Sequence, residues 1–315
     1  MSLSKFFAET ADVAREIILY PAFNVKELAV YCSKRKQGFT IERQKIDVQS
    51  RELFGKALFG ECHPYGLTSH ESAYDNITRE DLVSLYNKLY TAKNCFVVCS
   101  GRVTDEVLRT VEEIADTLPM GEDREMIFPE VKTTHNIFKE VESSLLSSIR
   151  IGRLLFPRRH PDFVGMQVVA TALGGYFGSR LMQNLREEHG YTYGVMAAMV
   201  NFEHEGYLAI ATQVAREHRD DALREIHFEI ERLRNELMSD EELQMVKNMM
   251  IGEILRILDG PFGIADVTIE NIMCGYDNHA TEQSVQTILA ITPEDIQQLA
   301  HKYLKAEDLV EVIVG

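Results

Sequence analysis

Arg186 and Tyr193 stand seven positions apart in a stretch, Leu173 to Gly194, whose punctuation can give a guanidinium and a phenol a common target. Three glycines in five positions, Gly174, Gly175 and Gly178, break the apolar helix that precedes them. Ser179 then offers a hydroxyl to cap a new helix, along which Leu181, Met182 and Leu185 form an apolar stripe. Gly190 can end that helix in the left-handed conformation. Tyr191 to Val200, rich in aromatic and small apolar residues, reads as a buried strand. Arg186 is thereby expected near the end of a short helix and Tyr193 two residues into the next strand. Such a helix-to-strand corner can aim two hydrogen-bond donors at one spot. Spacing alone equally allows a surface arginine and a core tyrosine.

The other residue types that do chemistry are less organised. No two of the ten histidines stand three or four positions apart, so no helical turn carries a histidine pair. His63, in His63-Pro64-Tyr65-Gly66, reads as a structural turn residue, and His204, between Glu203 and Glu205, as part of a hairpin turn ending at Gly206. Five scattered cysteines (Cys32, Cys62, Cys95, Cys99, Cys274) offer neither a disulfide framework nor a CxxC zinc spacing. Cys95 and Cys99 lie in an apolar, strand-like run and read as small core residues. Glu241, Glu242, Glu253 and Asp259 do not stack as a paired carboxylate site and read as a solvated face. Gly260-Pro261-Phe262-Gly263 reads as a helix terminator, with a hinge or substrate-side loop as the alternative.

A net charge of −16 without a cluster of Lys and Arg argues against a nucleic-acid partner. Arg153, Arg158 and Arg159 are the nearest approach to one, and they flank a turn. No apolar run is long enough to span a bilayer as a helix.

The stretch around Arg186 also resembles a known pattern. Gly-Gly, Ser-Arg-Leu, Leu-Arg-Glu and Gly-x-x-Tyr, carried here by Gly174-Gly175, Ser179-Arg180-Leu181, Leu185-Arg186-Glu187 and Gly190 to Tyr193, resemble the non-catalytic half of the insulinase/pitrilysin superfamily of zinc metallopeptidases (peptidase family M16). The short bacterial and mitochondrial-processing-peptidase-like members are the most similar. The resemblance implies two facing halves that enclose a peptide, with Arg186 and Tyr193 reaching toward an active site on the other half. It also implies a bacterial protein of the cytoplasm or periplasm.

An internal repeat sets the architecture. Ile77 to Gly101 aligns without gaps on Ile291 to Gly315, an offset of 291 − 77 = 214, with nine of 25 positions identical. Both copies read as a Thr-capped helix with an acidic first turn, a loop and an apolar strand. The expected fold class is α+β, a tandem duplication of a unit in which an antiparallel-rich sheet is covered on one side by helices. Residues 1–118 are expected to form the C-terminal part of the first unit, 119–135 a linker, and 136–315 a complete second unit. Because 136 − 214 = −78, the first copy lacks roughly 78 residues that the second has. A truncated sequence is the favoured explanation, and natural loss of that segment the other.

Active members of the superfamily hold zinc with two histidines and a distant glutamate, the histidines lying in an HxxEH helix whose inner glutamate activates water. That motif is absent here, and the duplication places it in the missing segment. The distant glutamate belongs to a helix matched by Lys36 to Arg43. The alignment puts Arg43 on the ligand position, where a guanidinium could not coordinate a dication. Glu42, one residue earlier, would serve only if the helix register slipped by one. The expectation is therefore a chain with no metal or cofactor of its own and with zinc in a catalytic partner, paired as a homo- or heterodimer. Arg186 and Tyr193 would orient a substrate peptide's carbonyl and stabilise its oxyanion. The alternatives are an active zinc endopeptidase whose HxxEH lies upstream, and a scaffold subunit resembling the core proteins of the bc1 complex.

Overall fold

A computed structural model describes residues 3–122, 128–134 and 136–315. Residues 123–127 and His135, within the expected linker, lie outside the described residues. Contacts divide the chain into two units. One comprises Met1–Glu42, Ser69–Ile127 and Gly260–Asp266; the other comprises Arg43–Thr68, Phe128–Asp259 and Val267–Gly315.

The first unit is helical. It contains α1 (Phe7–Leu19) and α2 (Val25–Glu42), and, after α3 (Ile46–Phe59) of the second unit, α4 (Ala73–Asn76), α5 (Arg79–Leu89) and α6 (Asp105–Thr117). Thr78 starts α5 with a capping box: its hydroxyl accepts the Asp81 backbone N–H, and the Asp81 carboxylate accepts that of Thr78. The Tyr86 hydroxyl donates to the Ile18 carbonyl at 2.6 Å, tying α5 to α1. Among its described residues only Ala11, Cys32 and Thr91 are buried, while Val13, Ile17, Tyr31 and Leu108 are exposed. The apolar run at Cys95 is not a strand. Cys95 is exposed and Cys99 only half-buried, so the expectation of two core cysteines fails. Val and Phe favour an extended chain, but a strand also needs neighbours to pair with.

The second unit holds the sheet. Its strands are β1 (Ile137–Lys139), β2 (Leu146–Leu155), β3 (Val195–Asn201), β4 (Gly206–Ala215) and β5 (Val310–Val314), ordered β1-β5-β2-β4-β3. Only the β1–β5 pair is parallel. The helices are α7 (Phe163–Ala170), α8 (Arg219–Asn235), α9 (Asp240–Ile257), α10 (Pro261–Met273, its first residues in the first unit), α11 (His279–Ala290) and α12 (Pro293–Tyr303). The Thr292–Asp295 capping box of α12 repeats that of Thr78–Asp81, and the chain is an α+β tandem duplication.

Side chains alternate across each strand and sort the two faces. Ile149, Ile151, Leu208 and Ile210 meet Ile226, Ile230 and Leu233 of α8, with Met166 of α7 and Ile296 of α12, in the larger core. Leu237 lies past the end of α8 and is exposed. The opposite face is not bare. Val310, Val312 and Val314 pack on Phe54, Ala57, Leu58 and Phe59 of α3, each large side chain contributing ~1.5–3 kcal/mol by leaving water. His63 belongs to this second layer, buried, stacked on Phe59 and accepting the Tyr65 N–H, which is the structural role expected of it. His204 sits in the β3–β4 turn, closed by the Phe202 N–H donating to the Glu205 carbonyl.

Gly152 lets α3 approach β2. A Cβ there would overlap the Leu208 carbonyl oxygen and press on the Phe54 ring. Gly152→Ala is expected to lower stability by at least ~2 kcal/mol in urea denaturation. On the α8 face, His227 and Glu311 meet at 2.8 Å. This hydrogen bond holds the Glu311 carboxyl below the usual range despite burial. Its stabilisation is complete above the ordinary glutamate range and is lost as pH falls through the lowered folded-state value. Glu311→Gln should remove ~1–2 kcal/mol at pH 7 and flatten the loss of stability below about pH 4.5. Chemical denaturation across pH 3–7 measures both.

Candidate functional site

Both sides of the Gly174–Gly175 break are wound more loosely than an α-helix. Residues Thr171–Gly175 and Met182–Glu188 are π-helical, a rare conformation that recurs at functional sites. Leu181, Met182 and Leu185 are buried as the spacing requires. Gly190 ends the second π-segment at φ +67°, and the Tyr191 N–H donates to the Leu185 carbonyl, closing the helix in the left-handed conformation. The Ser179 hydroxyl does not cap. It is buried without a hydrogen-bond partner, and its carbonyl instead accepts the Gln183 N–H.

Other side chains fix this segment. Arg180, 10% exposed at its side chain, is doubly hydrogen-bonded to Glu242 of α9 at 2.7 and 3.0 Å. Glu242 is therefore half-buried and paired, not part of a solvated face. Asn184 donates to Glu225 and to the buried Glu229, whose second partner is Arg232, and so docks the π-helix on α8. Arg180→Ala would leave the half-buried Glu242 unpaired and is expected to cost ~1.5–3 kcal/mol, more than a surface arginine. Comparison with Arg224→Ala in the same denaturation assay checks this.

Tyr193 is not in the strand, which begins at Val195. It tops a turn and is 99% exposed. That turn is nonetheless tied down. Thr192 donates to the Gln213 carbonyl at 2.7 Å, Thr212 donates to the Gly194 carbonyl at 2.9 Å, and the two hydroxyls meet at 3.0 Å. Tyr191 is stacked between His189 and His218. The phenol thus projects from fixed backbone.

A cavity of about 1040 Å³ opens beside it on the sheet face that carries α3. Its floor is Ser148 and Arg150 of β2, Ala211 and Gln213 of β4, and Met196 of β3. Its walls are Gly174 to Phe177 and Gly190 to Gly194, with Asp47 at the start of α3. Tyr193 lines this cavity. Arg186 does not; its guanidinium lies 4.7 Å over the ring of Phe177, which does, and its Nε is 3.5 Å from Glu187. Sequence reasoning missed Arg150, since an arginine alternating with isoleucines reads as the solvent side of a strand.

The residues at the expected ligand position do not suit a metal. α2 stops at Glu42, so Arg43 lies past the helix rather than on its next step. Arg43 grips Glu52 through Nε and NH2, the latter at 2.6 Å. Among the described residues no three His, Cys, Asp or Glu side chains gather as a ligand set. Zinc does not fit this chain's described residues. Arg158 and Arg159 are occupied internally, by Asn271 and the Cys274 carbonyl, and make no phosphate-binding patch. Among the described residues no helix is long and apolar enough to cross a membrane. Gly260 follows the end of α9 and Pro261 opens α10, so that segment both stops one helix and starts another.

A family model described as "Peptidase M16 inactive domain" matches residues 76–250. An uncharacterized zinc protease of Mycobacterium bovis is 24% identical over 269 residues, 80% of this chain and 59% of the relative. The chain thus spans about three fifths of the length of that relative. The crystal structure of a peptidase M16 inactive domain from Pseudomonas fluorescens has the same fold, with a TM-score of 0.90 at 21% identity over 100% of this chain and 76% of that one. A chain of Complex III2 from Candida albicans matches with a TM-score of 0.75 at 15% identity, over 99% and 75%.

Proposed function

The chain belongs to the peptidase M16 family, and from that membership we propose that it is the non-catalytic, substrate-positioning half of a zinc-dependent peptidase. Its cavity holds a peptide, and Tyr193 with Arg186 steadies a peptide carbonyl whose metal is carried by a partner subunit. The observation that supports this most is Tyr193: a fully exposed phenol on a turn pinned by Thr192 and Thr212, at a cavity large enough for several residues of extended chain. Exposed aromatics on fixed backbone suit recognition, because little freedom is lost on binding. Arg186 would have to leave the Phe177 ring, or use that ring as a guide, to reach the same carbonyl. The first unit, with so few buried residues, is read as the rear part of a duplicated unit.

Two other readings have support. The likeness to a Complex III2 chain favours a scaffold subunit without peptide chemistry. The zinc-protease relative from Mycobacterium bovis, of which the chain spans 59%, favours an active endopeptidase whose HxxEH lies outside this sequence. Reconstitution with a zinc-bearing subunit of the family, followed by cleavage of a fluorogenic peptide, separates them. Tyr193→Phe and Arg186→Ala are each expected to lower kcat by ~10²–10³-fold. Tyr193→Phe should leave the melting temperature unchanged. Wild-type rates in both variants would sink the positioning role and favour the scaffold. Stoichiometric zinc in the full-length protein with cleavage by that protein alone would favour the endopeptidase.

A further inference from the structure

Arg150 is an anomaly in an acidic protein. Arg43, Arg153, Arg158, Arg180 and Arg234, all at least partly buried in the same unit, each meet a carboxylate. Arg150 is half-buried too, yet its one hydrogen bond is from Nε to the Ser50 hydroxyl at 3.0 Å, and Ser50 is already engaged with Ser148 at 2.8 Å. Among the described residues no acid lies within ion-pair distance of it. Asp47 attracts it from farther away, and Arg51 repels it. Burial, reinforced by that like charge, holds the guanidinium below its usual range. A partly desolvated cation without a partner is costly to the fold, so its setting is informative.

That setting is the cavity floor. Strand register puts Val312, Arg150, Ala211 and Met196 in one row across β5, β2, β4 and β3, on the face that α3 covers only in part. Ala211 is small and leaves space beside the guanidinium. Gln213 and Ser148, in the next row, are neutral and polar. Two strand spacings, roughly 10 Å, separate the Arg150 position from β3 and the Tyr193 turn. We propose that Arg150 anchors a carboxylate of a peptide lying in this cavity, making the site selective for acid-bearing peptides. This selectivity rests on the peptide-holding role proposed above. The carboxylate has two sources, an acidic side chain or the peptide's own C-terminus. A guanidinium suits either, since its planar fork matches two carboxylate oxygens.

The test is a fluorescence-anisotropy titration of the full chain with three labelled peptides of equal length. One has no acidic residue and an amidated end, one has a single Glu and an amidated end, and one has no acidic residue and a free C-terminus. The wild type should bind at least one carboxylate peptide ~10-fold or more tightly than the neutral one. A preference for the Glu peptide alone assigns a side chain, and for the free-ended peptide alone a terminus. Arg150→Met should erase the preference and melt no lower than the wild type. Ala211→Glu keeps the arginine and supplies a carboxylate beside it, and should erase the preference as well, which covers the case of a poorly folding Arg150→Met. Equal wild-type binding of all three peptides, or a preference that survives both substitutions, would overturn the anchor and leave the peptide-holding role standing. Binding of none would overturn both.

Discussion

Everything at the site follows from an unequal covering of one sheet. The β5–β2 half is packed on both faces, by α8 on one and by the aromatic end of α3 on the other. Beyond α3, the cavity lies over the second face of β4 and β3. Gly152 permits this arrangement, because only a missing Cβ lets Phe54 settle against β2. If α3 were held farther off, Val310, Val312 and Val314 would lose their cover and the cavity its inner wall.

The π-helical turns are part of the same economy of space. A π-turn adds a residue to each turn of the ladder, and the adjustment leaves Leu185 buried while Asn184 still reaches Glu225 and Glu229. The half-buried Arg180–Glu242 pair then fixes the segment from the α9 side. Rigidity is concentrated at the backbone behind Tyr193, and freedom is left to the phenol itself.

Much of the architecture was legible before any coordinates. The buried stripe of Leu181, Met182 and Leu185 and the left-handed stop at Gly190 lie where helical period and end signals put them. The duplication was legible because it repeats a capping box, which is local chemistry. Long-range pairing was less so. Nothing local distinguishes the Ser179 hydroxyl, left unpaired, from a helix cap, or Glu242, bound to Arg180 from 62 positions away, from a solvated glutamate. Tyr193 was placed in the strand because aromatic composition favours one, whereas Thr192 and Thr212 hold it in a turn. Arg150 became visible only when the register set it beside Ala211, with no described acid at ion-pair distance. The layer made by α3 was missed because helix period gives a helix's apolar side but not the surface it will meet.

The two capping boxes show what duplication can pass on. Thr78–Asp81 and Thr292–Asp295 launch helices of equal length from matching words, and each helix closes its own ladder. The words that follow diverge in outcome: residues 310–314 become an inner rib of a sheet, and residues 95–100 join none. A helix satisfies its backbone from within, but a strand borrows half its satisfaction from company on either flank. Copying a stretch of gene therefore bequeaths helices outright, and strands only where other strands are there to receive them.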